Sequence, residues 1–416
     1  MKNLNKEKKL NRYSYYYFIW HGIFLALTMS MIDFNTVFPA LVDSLTKEKM
    51  IFGSLYSILL GAPLLFNILF SHFLKHKEYK KKYLLLGIYL RGLSFLGMAI
   101  SVYFFGKSSP NTVIISLFFL IFLFSISGGF AGISYADIIG KLFTSKERGK
   151  LYATKQFLSS LAAFAGGLVV SKIFSPGKLI YPYNYVVVLF IGFVGLGIAS
   201  LGFLFIKEPP SDIKDEDKNE TFKDFIKKVP KILKEDKNLF KFILVENLAS
   251  FSLMALPFYM LFAKEIFAID NSYIGKYLLF QITGTIFSNI LWGLLSNKFG
   301  SKSIVKICIL LGATIPVFAM FLSQFGPDIF SILFLLIGFI ISGRRIGFET
   351  YLLDIAPKDK TTVYFGIRGT LNIFVIILPF LGGIFIEIIG YYITFSIVSL
   401  VMLIAFIILL RKNNNL

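Results

Sequence analysis

Hydrophobic residues in this sequence run in uninterrupted blocks of about 20 residues or more, and short polar segments separate the blocks. A helix of that length spans the roughly 30 Å hydrocarbon layer of a bilayer. The pattern predicts twelve membrane spans, numbered here in chain order. They cover residues 14–41, 50–73, 83–105, 111–140, 150–175, 183–206, 239–266, 272–296, 303–323, 328–353, 362–388 and 391–411.

The composition supports a membrane protein. Of the 416 residues, 56% are hydrophobic and 16% are charged, and the mean hydropathy is +0.72. A soluble globular chain is typically about 45 to 50% apolar and about 25% charged, so a soluble core does not account for this excess. The lipid bilayer is therefore an expected partner. The single cysteine, Cys308, lies inside span 9, which excludes a disulfide framework.

The distribution of basic residues sets the expected orientation. The formal net charge is +19, from 43 Lys and Arg against 24 Asp and Glu, which in a soluble chain would suggest a nucleic-acid partner. When basic residues near the span ends are counted with the adjoining loops, 31 lie in the termini and loops on the same side, 7 lie on the opposite side and 5 lie deep within the spans. This positive-inside pattern predicts cytoplasmic termini in a bacterial cytoplasmic (inner) membrane, and no nucleic-acid partner.

The longest polar stretch, residues 207–238, lies between spans 6 and 7 and contains nine lysines and nine acidic residues. It predicts a cytoplasmic linker between an N-terminal six-helix bundle, 1–206, and a C-terminal six-helix bundle, 239–416. Within the linker, apolar residues at helical spacing among lysines in 221–237 favour an amphipathic helix in the plane of the lipid headgroups. A disordered tether is the alternative, because the charge density is high.

The two halves also carry a weak internal repeat. Asp137 and Lys155 in spans 4 and 5 have counterparts in Asp354 and Arg368 of spans 10 and 11, and a pair of glycines follows in each half. Six spans, a linker and six spans with recurring residues indicate a duplicated unit.

A loop motif between spans 8 and 9 resembles a known family signature, and its matching positions are Gly293, Asn297, Lys298, Gly300 and Lys302. The signature is the Gly-x-x-x-Asp-Arg-x-Gly-Arg-Lys loop of the major facilitator superfamily, although Asn297 replaces the acidic residue. The resemblance implies an all-α membrane protein, with twelve transmembrane helices in two six-helix bundles around a central cavity. It also implies alternating access of one binding site to the two sides of the membrane.

Ionisable residues inside apolar spans mark candidate pathways, because an unpaired charge in hydrocarbon is costly. Span 1 contains Asp33 beside Asn35, and also His21; span 7 contains Glu246 and Asn247. We interpret these residues as candidates for binding substrate or protons, since burial of a carboxylate favours its protonated form. The alternatives are that Asp33 lies at the outer interface and that His21 makes a packing hydrogen bond.

Span 10 contains Arg344 and Arg345, whose charges require carboxylate neighbours, an anionic substrate or water. Successive helix positions diverge by about 100°, so we expect one of the two to face the cavity and the other a neighbouring helix. Arg91 in span 3 and Gln281 and Asn289 in span 8 are single polar residues and are interpreted as packing contacts.

Charges near the cytoplasmic ends of spans 4, 5, 10 and 11 suggest a gate. We expect Asp137 to pair with Arg368, and Lys155 with Glu349 or Asp354, because opposite signs lie in opposite halves within about three helical turns of one face. The alternative is that each charge caps a helix or pairs within its own bundle.

No soluble-enzyme motif is present: there is no phosphate-binding Walker loop, no metal-ligand cluster and no nucleophile with a base at useful spacing. We therefore expect a monomeric protein that is not an enzyme and needs no cofactor or metal. The expected function is transport of a small-molecule substrate, with protons as the coupling ion. A non-transporting membrane sensor or assembly partner of the same fold is the alternative.

Overall fold

A computed structural model describes residues 2–75, 77–210, 222–357, 361–372 and 374–411, and across these residues all regular structure is helical. The α-helices are α1 (Lys2–Met31), α2 (Val37–Leu45), α3 (Lys49–Lys75), α4 (Lys81–Phe105), α5 (Pro110–Leu142), α6 (Ser145–Ile173), α7 (Tyr183–Leu204), α8 (Phe222–Glu235), α9 (Lys237–Ala249), α10 (Tyr259–Phe267), α11 (Ser272–Phe299), α12 (Ser301–Leu322), α13 (Pro327–Ile355), α14 (Thr361–Leu371) and α15 (Phe374–Leu410). Short 3₁₀ segments, Ser250–Met254 and Leu256–Phe258, lie between α9 and α10.

Ten helical stretches in this described part of the chain are long and apolar enough to cross a membrane. Nine of them correspond to spans 2 to 10, and the tenth, Val363–Leu410, contains spans 11 and 12 on either side of Gly390, whose φ of 78° interrupts the helix. Span 1 is covered by α1 and the short helix α2, which a turn separates. Helix α8 lies inside the stretch expected to be the linker.

Local sequence signals set several helix boundaries. Thr144 and Glu147 form a reciprocal capping box at the start of α6: the Thr144 side chain accepts from the Glu147 amide, and the Glu147 carboxylate accepts from the Thr144 amide at 2.9 Å. Asp236 accepts hydrogen bonds from two amides in the first turn of α9. Gly300, at φ 76°, provides the positive φ that begins α12 immediately after α11.

The chain divides by contacts into two compact units. Unit 1 comprises Met1–Lys47, Ile58–Ile213 and Asp270–Leu279, and unit 2 comprises Glu48–Ser57, Lys214–Ile269 and Phe280–Leu416. In unit 1, α1 packs on α6 and α7, and α4 packs on α5 and α7. In unit 2, α12 packs on α13 and α15, and α9 packs on α15. The sequence-based bundle boundaries at 206 and 239 remain a prediction.

Small residues allow the helices within each unit to approach closely. In unit 1, a Cβ atom at Gly166 of α6 would lie 2.9 Å from the Cβ of Ser30, and the Ser30 hydroxyl donates to the Ala163 carbonyl at 3.1 Å. In unit 2, a Cβ at Gly284 of α11 would lie 2.0 Å from the carbonyl oxygen of Leu335 on α13. In lipid, where water does not drive helices together, such close backbone packing is a main source of helix association.

We predict that Gly284→Ala destabilises the protein, because the added methyl group meets a backbone carbonyl that cannot move without shifting a helix. Overpacking of this kind typically costs about 1 to 3 kcal/mol. The matched control is Gly293→Ala on the same helix, where nothing lies within 4 Å of the added atom. Thermal unfolding of both purified variants checks this, and equal melting temperatures would contradict the close approach of α11 and α13.

Candidate functional site

Unit 1 contains a cavity with a volume of about 160 Å³. Five helices of the unit, α1, α4, α5, α6 and α7, contribute to its wall. The lining residues are His21, Leu25, Leu84, Ile88, Arg91, Gly128, Ala131, Gly132, Tyr135, Lys155 and Leu196. The wall is thus mostly apolar with a few converging polar groups, which is the usual composition of a small-molecule site.

The polar groups of this cavity hold one another in place. The Lys155 ammonium donates to the Tyr135 hydroxyl at 2.6 Å and lies 4.6 Å from the centroid of the same ring. The His21 ring packs on Phe203 with a centroid separation of 4.5 Å, and its Nδ1 lies 3.3 Å from the Ala199 carbonyl oxygen. A carbonyl only accepts, so in this contact Nδ1 carries the proton. His21 therefore makes the expected packing hydrogen bond and also lines the cavity.

Arg91 is a site residue that sequence reasoning did not select. Its guanidinium carbon lies 4.3 Å from the centroid of the Phe124 ring, and one terminal nitrogen lies 3.7 Å from the Met29 sulfur. Its Nε is buried and has no hydrogen-bond partner among the described residues. The sequence did contain a signal for this residue, namely a single arginine within an apolar span. Burying a charge in hydrocarbon costs free energy unless the charge faces protein or water.

In unit 2 a second polar cluster forms where span 7 loses its α-helical geometry. Arg344 on α13 donates to the Ala249 carbonyl at 2.7 Å, to the Ser250 hydroxyl at 2.6 Å and to the Ser252 hydroxyl at 3.2 Å. The change from α to 3₁₀ geometry leaves backbone carbonyls without their usual partners, and in hydrocarbon each needs a donor from the protein. Arg344 supplies one. Arg345, one position further, is exposed.

Glu246 and Arg368 form a buried ion pair in the same unit. The Arg368 Nε lies 2.9 Å from both carboxylate oxygens of Glu246, and a terminal nitrogen lies 2.5 Å from one of them. The Glu246 side chain is only 3% exposed and that of Arg368 is 20% exposed. Asn247 donates to the Ile243 carbonyl at 2.9 Å, and its side-chain oxygen is buried with no partner in the described part of the chain.

Asp33 and Asn35 lie in the turn between α1 and α2. The Asp33 carboxylate accepts from the Asn35 amide at 3.0 Å and from the Thr36 hydroxyl at 2.9 Å, while its backbone carbonyl accepts from the Phe38 amide at 3.0 Å. Asp33 therefore satisfies polar groups at the start of α2, in the manner of a helix cap.

The residues expected to form a gate have contacts within their own units. Asp137 pairs with Lys80 at 2.5 Å and with Lys141 at 2.8 Å, and Lys141 also pairs with Glu208 at 2.6 Å. The carboxylate of Asp354 accepts from the hydroxyl of Ser301 at the start of α12. These contacts are the alternative that the sequence left open, and the gate stays a prediction.

Other gate and loop-signature residues are mostly solvent- or lipid-accessible. Glu349 is exposed, and so are Gly293, Asn297, Lys298, Gly300 and Lys302 of the loop signature. Gly300 is the signature position with a clear structural requirement, since its positive φ allows the tight turn into α12. The signature lysines remain available for contact with anionic lipid headgroups.

The internal repeat places a cation against the first span of each half, span 1 or span 7. In unit 1, Lys155 lies against α1, where a Cβ at Gly22 would be 2.5 Å from the Lys155 Cγ. In unit 2, the corresponding Arg368 lies against α9 and binds Glu246. The two units thus treat matching cations differently: unit 2 supplies a carboxylate beside its cation, and unit 1 places a cavity there.

Comparison with known proteins identifies the fold. A sequence model of the Major Facilitator Superfamily matches residues 22–372 and 244–415, which confirms the resemblance drawn from the sequence. A mutant of the nucleoside transporter NupG has 16% identity and a TM-score of 0.67, covering 97% of this chain and 100% of that one. A bacterial homologue of the iron transporter ferroportin, in an inward-facing state, has 13% identity and a TM-score of 0.66, covering 95% and 97%.

At such low identity these solved structures show the fold alone, and they confirm the all-α membrane architecture. The NupG structure without the mutation is similar as well, with 16% identity and a TM-score of 0.62, covering 98% of this chain and 99% of that one. A search of curated protein sequences found no significant match.

We predict that Glu246→Gln lowers the melting temperature, because it leaves Arg368 without a carboxylate. Breaking a buried ion pair typically costs about 3 to 5 kcal/mol, and the partial exposure of Arg368 favours the lower end. The double change Glu246→Gln with Arg368→Gln should recover part of the loss, since both charges are then absent. Glu349→Gln, at an exposed position, is the control. A double variant no more stable than the single one would argue against the pair.

Proposed function

Because the chain belongs to the Major Facilitator Superfamily, we propose that it moves a small solute across the bilayer by alternating access and works as a monomer. In this mechanism one binding site opens to one side at a time, so no continuous pore forms. The observation that carries the proposal is the unit 1 cavity, where ionisable side chains from four helices meet in an otherwise apolar wall. Polar groups inside membrane spans are expensive and are characteristic of solute pathways.

Proton coupling is the second part of the proposal. Glu246 is a buried carboxylate whose charge is balanced by Arg368, and protonation would weaken that pair and free the arginine. Asp33 holds the start of α2, and protonation would remove an acceptor from that turn. Either event changes contacts between helix segments, which gives protons a means to favour one conformation over another.

The first step of the test is to find a solute. A ligand that binds only the folded state raises the melting temperature, so a thermal-shift screen of the purified protein against a metabolite panel identifies candidates. Candidates are then assayed in proteoliposomes for accumulation driven by an imposed pH gradient and for counterflow exchange, which needs no gradient. Binding without either activity would favour the non-transporting sensor or assembly partner.

For proton coupling we expect Asp33→Asn or Glu246→Gln to abolish gradient-driven accumulation while counterflow exchange continues. Counterflow is the internal control, because it shows that the variant is folded and still binds and moves the solute. Glu235→Gln, at an exposed carboxylate to which no transport role is assigned, is the matched control. Full accumulation in both variants would reject these two residues as proton carriers.

We also propose that both termini and the 207–238 linker lie on the cytoplasmic side of a bacterial cytoplasmic membrane. On a background in which the buried Cys308 is replaced by serine, single cysteines at Ser108 and Lys207 report the two sides, since both positions are exposed. We expect a membrane-impermeant maleimide to label Ser108→Cys in intact cells and Lys207→Cys only after permeabilisation. Labelling of both from outside would overturn the orientation.

A further inference from the structure

We propose that the unit 1 cavity binds an anionic group of the solute, a carboxylate or a phosphate, through Arg91, Lys155 and Tyr135. The inference rests on the proposed transport function, because it names the chemical class of the transported molecule. It is argued from the charge of the cavity wall, the geometry of three side chains and the contrast with the matching position in unit 2.

The cavity wall carries positive charge only. Arg91 and Lys155 are its two cationic residues, and none of its eleven lining residues is Asp or Glu. Charges interact more strongly at the low effective dielectric of a buried site than in water. Two cations that share a small apolar cavity therefore favour a negatively charged occupant, which offsets their repulsion and their loss of hydration.

The Arg91 guanidinium is held in a fixed orientation in which it can donate hydrogen bonds to an anionic group. The Phe124 ring supports one face of its guanidinium at 4.3 Å, and Gly128 provides room for it, since a Cβ there would lie 3.4 Å from the guanidinium carbon. The buried Nε still lacks an acceptor in the described part of the chain. A planar guanidinium presents parallel N–H donors, which match the two oxygens of a carboxylate or phosphate.

Tyr135 adds a neutral donor beside these charges. Its oxygen accepts a hydrogen bond from the Lys155 ammonium at 2.6 Å, so its own O–H hydrogen points to a different acceptor. The His21 Nδ1 donates to the Ala199 carbonyl, so the Nε2 of this cavity-lining ring is an acceptor and suits an N–H or O–H group on the neutral part of an occupant. The wall thus combines two cations with a phenol and an imidazole, a set suited to an oxyanion that also carries a neutral part.

In unit 2 the matching cation has a carboxylate partner within its own unit. There Arg368, the counterpart of Lys155 in the repeat, binds Glu246 of its own unit. In unit 1 the corresponding part of α1 carries His21 and Gly22, and Lys155 packs directly on Gly22. An anionic group in the unit 1 cavity would occupy the role that the Glu246 carboxylate has in unit 2.

The size of the cavity limits the group that enters it. The cavity volume of about 160 Å³ is several times the minimum of about 10 to 15 Å³ that one water molecule needs, so the cavity has room for a small group. A carboxylate or phosphate with a few attached carbon atoms fits this space, whereas a whole large solute does not. We therefore assign the cavity to the anionic end of the molecule.

The test uses two acid–amide pairs, which differ in charge but little in shape, and one pair that differs by the phosphate group. Purified full-length protein is titrated with succinate and succinamide, benzoate and benzamide, and glycerol phosphate and glycerol, together with inorganic phosphate, at constant ionic strength. We expect at least one anion to raise the melting temperature and its neutral partner to have no effect. Comparison of the carboxylates with the phosphates shows which oxyanion the site prefers.

Variants then locate the binding. We expect Arg91→Gln and Lys155→Gln each to weaken the affinity for that anion at least about tenfold, and Arg91→Lys to have an intermediate effect because it keeps the charge but loses the planar fork. Lys172→Gln, an exposed lysine on the same helix as Lys155, is the control and should bind as the unaltered protein does.

Three results would overturn the proposal: no anion in the panel shifts the melting temperature, neutral partners bind as well as their anions, or both glutamine variants keep full affinity. The comparison of paired compounds uses the unaltered protein, so it can reject the proposal even when a variant folds poorly. Transport of a neutral solute with no anion binding would reject the anionic class and leave the transport function standing. Anion binding without exchange or accumulation would reject transport instead.

Discussion

The exclusion of water from the hydrocarbon layer is the constraint on which this structure depends. Every backbone polar group and every charge inside the membrane must find its partner within the protein, so spanning segments are helical and departures from α-helical geometry need support. The break in span 1 is supported by the carboxylate of Asp33, and the 3₁₀ segment of span 7 by the guanidinium of Arg344. Residues that first suggested solute pathways thus also support breaks in the membrane helices.

The same constraint explains how the two units use their buried cations. In unit 2 the Arg368 charge is neutralised by Glu246 and the Arg344 donors are taken by a carbonyl and two hydroxyl groups. In unit 1 the cations Arg91 and Lys155 border a cavity. The duplicated fold thus places one cation beside a carboxylate in unit 2 and the matching cation beside a cavity in unit 1.

Alternating access requires contacts that differ between conformations, because a ligand can shift an equilibrium only by its differential affinity for the two states. The ion pair of Asp137 with Lys80 joins α5 to the start of α4 in unit 1, and that of Glu246 with Arg368 joins α9 to α14 in unit 2. Both pairs are candidates for such contacts. Close glycine packing, as at Gly284 and Gly166, holds other helices of each unit together.

The sequence by itself determined the membrane location of the chain, nearly all of its helical spans and the family signature, because hydrophobic length and glycine requirements are local properties. It also marked Glu246, Arg344 and Arg368 as charges in need of partners. It did not show which partners they take, and it led us to interpret Arg91 as a packing contact. Only the tertiary structure brought Arg91, Lys155, Tyr135 and His21 from four helices into one cavity. The physical reason is that helical periodicity sets which residues share a face, whereas the packing of neighbouring helices decides what that face meets.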